Sequence, residues 1–549
     1  MKKPAKPKPA HSDRDILLVF QVAASISIAS FFYYLQKSDL LLYGDAVAHI
    51  NIARRVFDSR TPGLLQLGTV WLPLPHLLMI PLLFSRLLWQ TGIGGSIPSM
   101  LAYVFSVAGI FQLVRTVLPD LRDPITRFAA WLAAVIFVLN PNLIYLQTTA
   151  MTEPLYLAFF IWTIAFFVGA IRKCVAGEAV KANSSLLKSG VCLTGACLTR
   201  YDGWLLAAAM SVLVVLLAWV GNFVSLRPGV KKFTMLAVAA PALWLGYNAA
   251  VYHNPLEFAN GPYSAKAIEQ KTSVPGTPPH PGANDLRIAF KYYLKSAELN
   301  VAAGKLQLFW VAGLIFGTAV VVLFQRKLWP VLLLWIPVPF YMLSVAYSGV
   351  PIFLPDWWPY SHYNVRYGIE LLPAFSVFAA MAAYGVMKFA STAKVRSAVA
   401  LIFVAAATVS YVQVWRTVPV TLQEAVVNSR TRSLLERQLA AIFKTLPQNS
   451  TFLMYLGDHV GAWEQAGIPL SRTINEGNHR PWKQPSDPSG LWERALAHPA
   501  RYADFVIAFD HDAVATAVNK SELQAFTILR VTGQPEATIY RTLSSNHAR

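Results

Sequence analysis

"TVWLPLPHLLMIPLLFSRLLW", residues 69–89, is apolar enough to pass for a membrane crossing, and whether it crosses decides the sidedness of everything after it. Its prolines 73, 75 and 81 suit an irregular or interfacial segment better than a straight helix. Counted as a span, it would put Arg115, Arg122 and Arg127 outside and invert every later loop. Left on the surface, it lets the basic residues fall into one pattern.

That pattern emerges from the runs on either side. The chain is 55% hydrophobic and 14% charged over 549 residues, whereas soluble domains carry about 25% charged residues. Apolar runs long enough to cross a bilayer of roughly 30 Å lie near 15–35, 97–117, 128–146, 154–171, 187–200, 203–225, 234–252, 305–324, 329–347, 367–388 and 397–416. With the N-terminus inside, Arg172, Lys173, Lys181 and Lys188, then Arg227, Lys231 and Lys232, then Arg326 and Lys327, then Lys388, Lys394 and Arg396 also fall inside. The short outer connections near 147–153 and 348–366 hold only Arg366, a strong positive-inside bias.

The expected fold is an all-α polytopic membrane protein of about eleven transmembrane helices with periplasmic juxtamembrane helices, plus a small C-terminal soluble α/β domain. Residues 1–14 read as a basic cytoplasmic tail, 15–416 as the transmembrane domain with its first outer loop at 36–96, and 417–549 as the extracytoplasmic domain. In that outer loop, "DAVAHINIARRVFDS" repeats Ile50, Ala53, Val56 and Phe57 at helical spacing, as a helix lying on the bilayer would. Beyond 417, "STFLMYLGDHVGAWEQAG", "ADFVIAFDHDAV" and "EATIYRTL" read as strands and helices. The expected location is the plasma (inner) membrane, multi-pass.

A net charge of +19 does not point to nucleic acid, because the cations sit in short loops between spans, where they orient the chain. Cys174, Cys192 and Cys197 form neither a disulfide framework nor a metal pattern.

The unusual polar residues share one side. Asp45, His49, Arg54 and Arg55 follow the first span; Glu153 sits in "QTTAMTEPLY"; "LTRYDGW" places Arg200, Tyr201 and Asp202 at another mouth. The loop "NPLEFANGPYSAKAIEQ" carries Tyr263 and Lys266, and "LPDWWPYSHYNVRYGIELLPAF" carries Asp356, His362, Arg366 and Glu370. Ionisable groups at helix ends facing a cavity are costly to keep and read as functional by default. Each also has an ordinary reading. Asp45 suits a helix cap. His49, at i+4 from it, is a surface histidine or a metal partner. Arg54 and Arg55 suit lipid headgroups, Arg200 and Asp202 a structural pair, and Glu153 the first turn of a helix.

An acid beside a lipid-facing mouth, with arginines at the rim, suits sugar transfer from a polyprenyl phosphate. The acceptor hydroxyl must lose a proton as it attacks the anomeric carbon, and fixed cations suit the charge that develops on the leaving phosphate. At these residues the sequence resembles the GT-C superfamily of integral membrane glycosyltransferases. "YGDAVAH" after the first span, "MTEP", "TRYDGW" and the late "NVRYGIELLPA" carry the likeness, over roughly 15–416. Relatives include protein mannosyltransferases, aminoarabinose transferases and Rgt-type enzymes.

The resemblance implies an inverting transferase acting on the outer face, with a polyprenyl-phosphate sugar as donor and a lipid, glycan or protein as acceptor. It implies Asp45 as the first-loop catalytic acid, Glu153 as the second acidic position and Arg366 as a phosphate contact. His49, Arg200, Tyr201, Asp202, Tyr263, Lys266 and His362 complete the candidate substrate-binding set. Relatives with paired acids in the first loop differ, since Ala46 follows Asp45, and a divalent metal cofactor stays open. Two other classes compete: a lipid or solute transporter or flippase, for which no internal repeat is found, and a non-catalytic scaffold.

Overall fold

The computed structural model describes residues 11–118, 122–221, 223–272, 276–324, 326–478 and 489–543. Most of the tail expected at 1–14 lies outside them. Among the described residues, nine helices are long and apolar enough to cross a membrane, including Ile93–Val117, Glu153–Val175, Asp202–Trp219 and Leu306–Phe324. The protein is a multi-pass membrane protein with a small C-terminal α/β unit.

Two of the expected crossings differ from the rest. The run at 128–146 is broken: the Pro124–Val138 helix has 15 residues, and Asn140 starts a separate helix, Pro141–Leu146, its side chain accepting from the Leu143 N–H at 3.0 Å. Fifteen residues rise about 22 Å, short of the hydrocarbon core. The run at 187–200 belongs to the longer Ala179–Cys197 helix, whose first half is too polar to count among the nine.

Residues 69–89 contain no helix long enough to cross. Leu74–Leu83 has 10 residues, with Pro75 in its first turn and Pro81 inside it, and Ser85 caps the next turn, Arg86–Gln90. Ten residues rise about 15 Å.

The Gly44–Arg55 helix departs from the expectation of an open surface helix. Ile50 and Ala53, expected to face lipid, are fully buried. The helix packs between Leu74–Leu83 and Ile93–Val117 on one side and Gly461–Ala466 of the C-terminal unit on the other. A covering domain explains why its apolar stripe is wider than one bilayer-facing face needs.

Close helix contact elsewhere rests on a missing side chain. A Cβ on Gly317 would stand 1.7 Å from the Phe378 carbonyl oxygen, so only glycine lets Leu306–Phe324 lie against Leu372–Phe389.

The last span, Ala393–Arg416, turns at 417–419 into a polar helix, Val420–Thr445. This helix leads into the sheet but also folds back on the membrane part, where the Thr421 N–H donates to Asn142 Oδ1 at 3.1 Å. The sheet runs β2-β1-β3-β5-β4, with β1 at Phe452–Met454, β2 at Thr473–Ile474, β3 at Phe505–Phe509, β4 at Leu523–Leu529 and β5 at Ala537–Thr542. β1 is parallel to β2 and β3, and β5 is antiparallel to β3 and β4, pairing Val506 with Tyr540. "FVIAF" of β3 is buried throughout, as a strand covered on both faces must be. β1, β3 and β5 coincide with the three segments expected; β2, of two residues, has too little sequence to show a pattern.

Candidate active site

Two buried guanidiniums gather acids from five separate parts of the chain. Arg366, in the short 3-10 helix Val365–Leu371 before Leu372–Phe389, contacts Asp45 Oδ2 at 2.5 Å, Glu153 Oε1 at 3.2 Å and Glu424 Oε1 at 2.5 Å. Its backbone N–H donates to Glu424 Oε2 at 3.0 Å. Arg200 contacts the same Glu153 oxygen at 3.3 Å, Asp202 Oδ2 at 3.4 Å and Glu370 Oε1 at 2.9 Å. It also donates to Tyr341 Oη at 2.8 Å and Thr152 Oγ1 at 3.0 Å. Glu153 is therefore the shared acid of the two arginines.

Aromatic faces close the gaps. The Tyr367 ring lies between the two guanidiniums, 5.0 Å from Arg366 and 5.1 Å from Arg200, and Tyr43 covers Arg366 at 5.1 Å. The Tyr341 hydroxyl donates to Glu370 Oε1 at 2.8 Å. Charges taken out of water persist only when paired and hydrogen-bonded, and this shell supplies both. Three carboxylate oxygens nevertheless have no donor: Glu153 Oε2, Asp202 Oδ1 and Glu370 Oε2. Acids outnumber guanidiniums in the cluster, so the site is electronegative.

Exposure separates the acids by task. The side chains of Glu153, Asp202, Glu370 and Glu424 are at most 1% exposed, and that of Asp45 is 41% exposed. Asp45 is the acid an incoming molecule can touch. It is not the helix cap: Tyr43 holds the cap position with no side-chain bond, and the Asp45 carboxylate turns to Arg366.

One turn on, His49 is buried and its Nδ1 lies 2.9 Å from His76 Nε2, with the Trp71 ring 4.7 Å away. Burial, and then the charges of Arg200 and Arg366, pull its pKa down to about 3, so it stands as a neutral imidazole. Among the described residues no three acid, imidazole or thiol groups converge where a metal ion could sit; guanidinium occupies the space between the acids.

Of the residues expected from sequence, the structure brings together Asp45, Glu153, Arg200, Asp202 and Arg366, with His49 alongside. Tyr201 is adjacent but turned away, its hydroxyl donating to the Val70 carbonyl at 3.0 Å and its ring stacked on Phe258. His362 sits at the rim, 3.1 Å from Gln423 Oε1. Lys266 lies against Gly349 and Tyr263 is exposed, both outside the cluster. The Arg366 fork, expected to contact phosphate, meets three carboxylates in this structure. Arg54 and Arg55 do not face headgroups: Arg54 pairs with Asp58 at 2.9 Å beneath Trp89, and the Arg55 Nε is buried. Sequence reading noted Glu370 beside Arg366 but gave it no role, and it passed over Glu424, which sits in an ordinary-looking polar helix.

No family model and no curated protein matches the sequence. Solved structures do resemble the fold. ArnT from Cupriavidus metallidurans bound to undecaprenyl phosphate is similar over 98% of this chain and 100% of its own, at TM-score 0.53 and 12% identity. The same protein in the apo state is similar over 96% and 98%, at TM-score 0.51 and 13% identity. The archaeal oligosaccharyltransferase AglB from Archaeoglobus fulgidus, in complex with an inhibitory peptide and a dolichol-phosphate, is similar over 96% and 74%, at TM-score 0.50 and 12% identity. At such identities the likeness is one of architecture: the chain shares the fold of these structures.

Proposed function

We propose that the protein is an inverting glycosyltransferase that moves a sugar from a polyprenyl-phosphate donor to an acceptor on the extracytoplasmic face of the plasma membrane. The observation that carries this reading is Asp45, a half-open carboxylate held by a buried arginine at the end of the first span. The fold shared with an undecaprenyl-phosphate complex and a dolichol-phosphate complex supports it.

In the reaction, the acceptor oxygen bonds to the anomeric carbon as the bond from that carbon to the phosphate oxygen breaks. The acceptor proton passes to Asp45 and the electron pair leaves on the lipid phosphate. Arg366 fixes the carboxylate so that one oxygen stays directed at the acceptor, which favours the reactive geometry. It is a positioning residue. Positive charge develops on the sugar ring in the transition state, and an electronegative cluster fixed before the reaction stabilises it. Glu153, joined to both arginines, sets the spacing of the cluster.

The test is incubation of the purified protein with a panel of polyprenyl-phosphate sugars, following loss of donor. Consumption of one of them by the wild type, and none by Asp45→Asn, is expected. Equal consumption by both would remove Asp45 from the chemistry.

A further inference from the structure

The Glu153–Val175 helix joins the acid cluster to a second arrangement at its far end. Glu153 opens the helix, and Arg172 and Lys173 stand in its last turn, about 28 Å further along the axis. That nearly matches a hydrocarbon core of roughly 30 Å, so the two arrangements face opposite sides of the membrane.

A cavity of about 430 Å³ lies at this far end, between the helix and parts of Ile93–Val117 and Ala179–Cys197. Trp162, Phe166, Gly169 and Lys173 line it at helical spacing. All four are only partly buried, on a helix that is buried along most of its length. From Trp162 to Lys173 the groove runs about 16 Å along the helix axis, the depth of one leaflet.

Its two ends differ in chemistry. The deep end is aromatic, and Trp162 spends its N–H on the Phe105 carbonyl at 2.9 Å. The outer end is basic. Arg115, Arg172 and Lys173 line it against one acid, Glu178, whose carboxylate is 3.1 Å from Lys181. Arg172 Nη1 donates to the Arg115 and Thr116 carbonyls at 3.0 and 2.9 Å, which fixes it at the junction of two helices. Lys173 Nζ donates to Ser185 Oγ, a neutral partner, at 2.7 Å, and Lys188 Nζ lies 5.8 Å from the Phe166 ring centre.

A free anion would use the basic rim and leave the groove. An apolar groove one leaflet deep that ends in cations fits a molecule carrying both a phosphate and an acyl chain, and basic pockets between spans recognise such headgroups. We propose that this cavity binds an anionic phospholipid, with its phosphate among Lys173, Lys188, Arg115 and Arg172 and one acyl chain along Trp162, Phe166 and Gly169. Gly169 leaves the room: beyond its own helix, a Cβ there would meet only Thr116 Cγ2, at 3.9 Å. The site lies a membrane's thickness from Glu153 and does not depend on the transferase reading.

The experiment is native mass spectrometry of the purified protein mixed with equal amounts of phosphatidylglycerol and phosphatidylcholine of one chain length. Phosphatidylglycerol is expected to be retained at least about tenfold over phosphatidylcholine. Lys173→Gln combined with Lys188→Gln is expected to lose most of that preference. Lys394→Gln, at an exposed lysine on a helix that does not line the cavity, is expected to keep it. Gly169→Leu fills the groove with a residue that suits a helix better than glycine, so it is expected to lose the bound lipid while its Tm does not fall. Equal retention of the two lipids by the wild type would overturn the proposal. An equal loss in Lys394→Gln and the double lysine variant would overturn it too, by reducing the preference to diffuse surface charge. So would displacement of phosphatidylglycerol by inorganic phosphate at constant ionic strength, which would assign the cations to a free anion. Full retention of phosphatidylglycerol by Gly169→Leu would take the acyl chain out of the groove, and the proposal with it.

Discussion

Arg366 and Glu424 meet twice: guanidinium Nη1 is 2.5 Å from one carboxylate oxygen, and the Arg366 backbone N–H is 3.0 Å from the other. Both side chains are buried, so this pair ties the chain beyond the last span to the residue that holds Asp45. Glu424→Ala leaves a buried guanidinium one partner short, and a loss of about 3 kcal/mol is expected. Glu424→Gln keeps an oxygen for the backbone contact and is expected to lose less. Thermal unfolding in detergent checks the order; equal stability of all three proteins would show that the pair holds nothing.

Asp45→Asn keeps the shape and a hydrogen-bond acceptor for Arg366 but cannot take a proton. Turnover is expected to fall by at least about 10²-fold with Tm close to that of the wild type. Glu153→Gln, which touches both arginines but no incoming substrate, is expected to lose stability along with activity. A variant at Asp45 within a few-fold of wild type would make that carboxylate a support for Arg366 and nothing more.

His49 gives the protein an acid-sensitive joint. Its pKa is about 3 when folded, against 6.5 for an unperturbed histidine. Between those values the unfolded chain binds a proton that the folded chain does not, so stability is full above about pH 6.5 and falls as pH drops. The expected slope is about 1.4 kcal/mol per pH unit. Unfolding midpoints from pH 7.5 to 5 should fall less steeply in His49→Gln; an unchanged slope would place the sensitivity elsewhere.

Glu464 behaves in the opposite sense. It is fully buried, its Oε2 accepts from Asn51 Nδ2 at 2.7 Å and its Oε1 has no donor. Burial raises its pKa well above the usual 4.5, so the cost of keeping it protonated grows as pH rises past the unfolded value. Glu464→Gln preserves the contact with Asn51 without that cost. Its Tm at pH 8 is expected to exceed the wild type, with the gap closing toward pH 4.5; a lower Tm at pH 8 would mean that the acid is needed ionised.

The spans were legible because crossing a bilayer leaves a long, simple signature, and the basic loops oriented them together. Two of the expected crossings differ from the rest, one interrupted at Asn140–Pro141 and one carrying the polar start of the Ala179–Cys197 helix. Asp45, Glu153, Arg200, Asp202 and Arg366 stood out because charge at the mouth of an apolar run is costly. Their pairing did not show, since which acid meets which arginine is set by helix packing. Glu424 carried no signal at all: in "TLQEAVVNSR" a glutamate is what any water-exposed helix would hold. The stripe of Ile50 and Ala53 was read correctly as buried but assigned to lipid, because sequence does not tell a bilayer from a covering domain.

The position of Glu424 also sets an order of assembly. Ribosomes deliver the chain from the N-terminus, so Asp45, Glu153, Arg200 and Arg366 reach the membrane before the helix that supplies the final acid. Until Val420–Thr445 folds back, Arg366 lacks the partner that holds it by both backbone and side chain. A nascent chain halted before that helix carries every span and an unfinished charge cluster. The charge cluster is thus completed by a helix that follows the last span, and a copy halted before it lacks both contacts of Glu424 with Arg366.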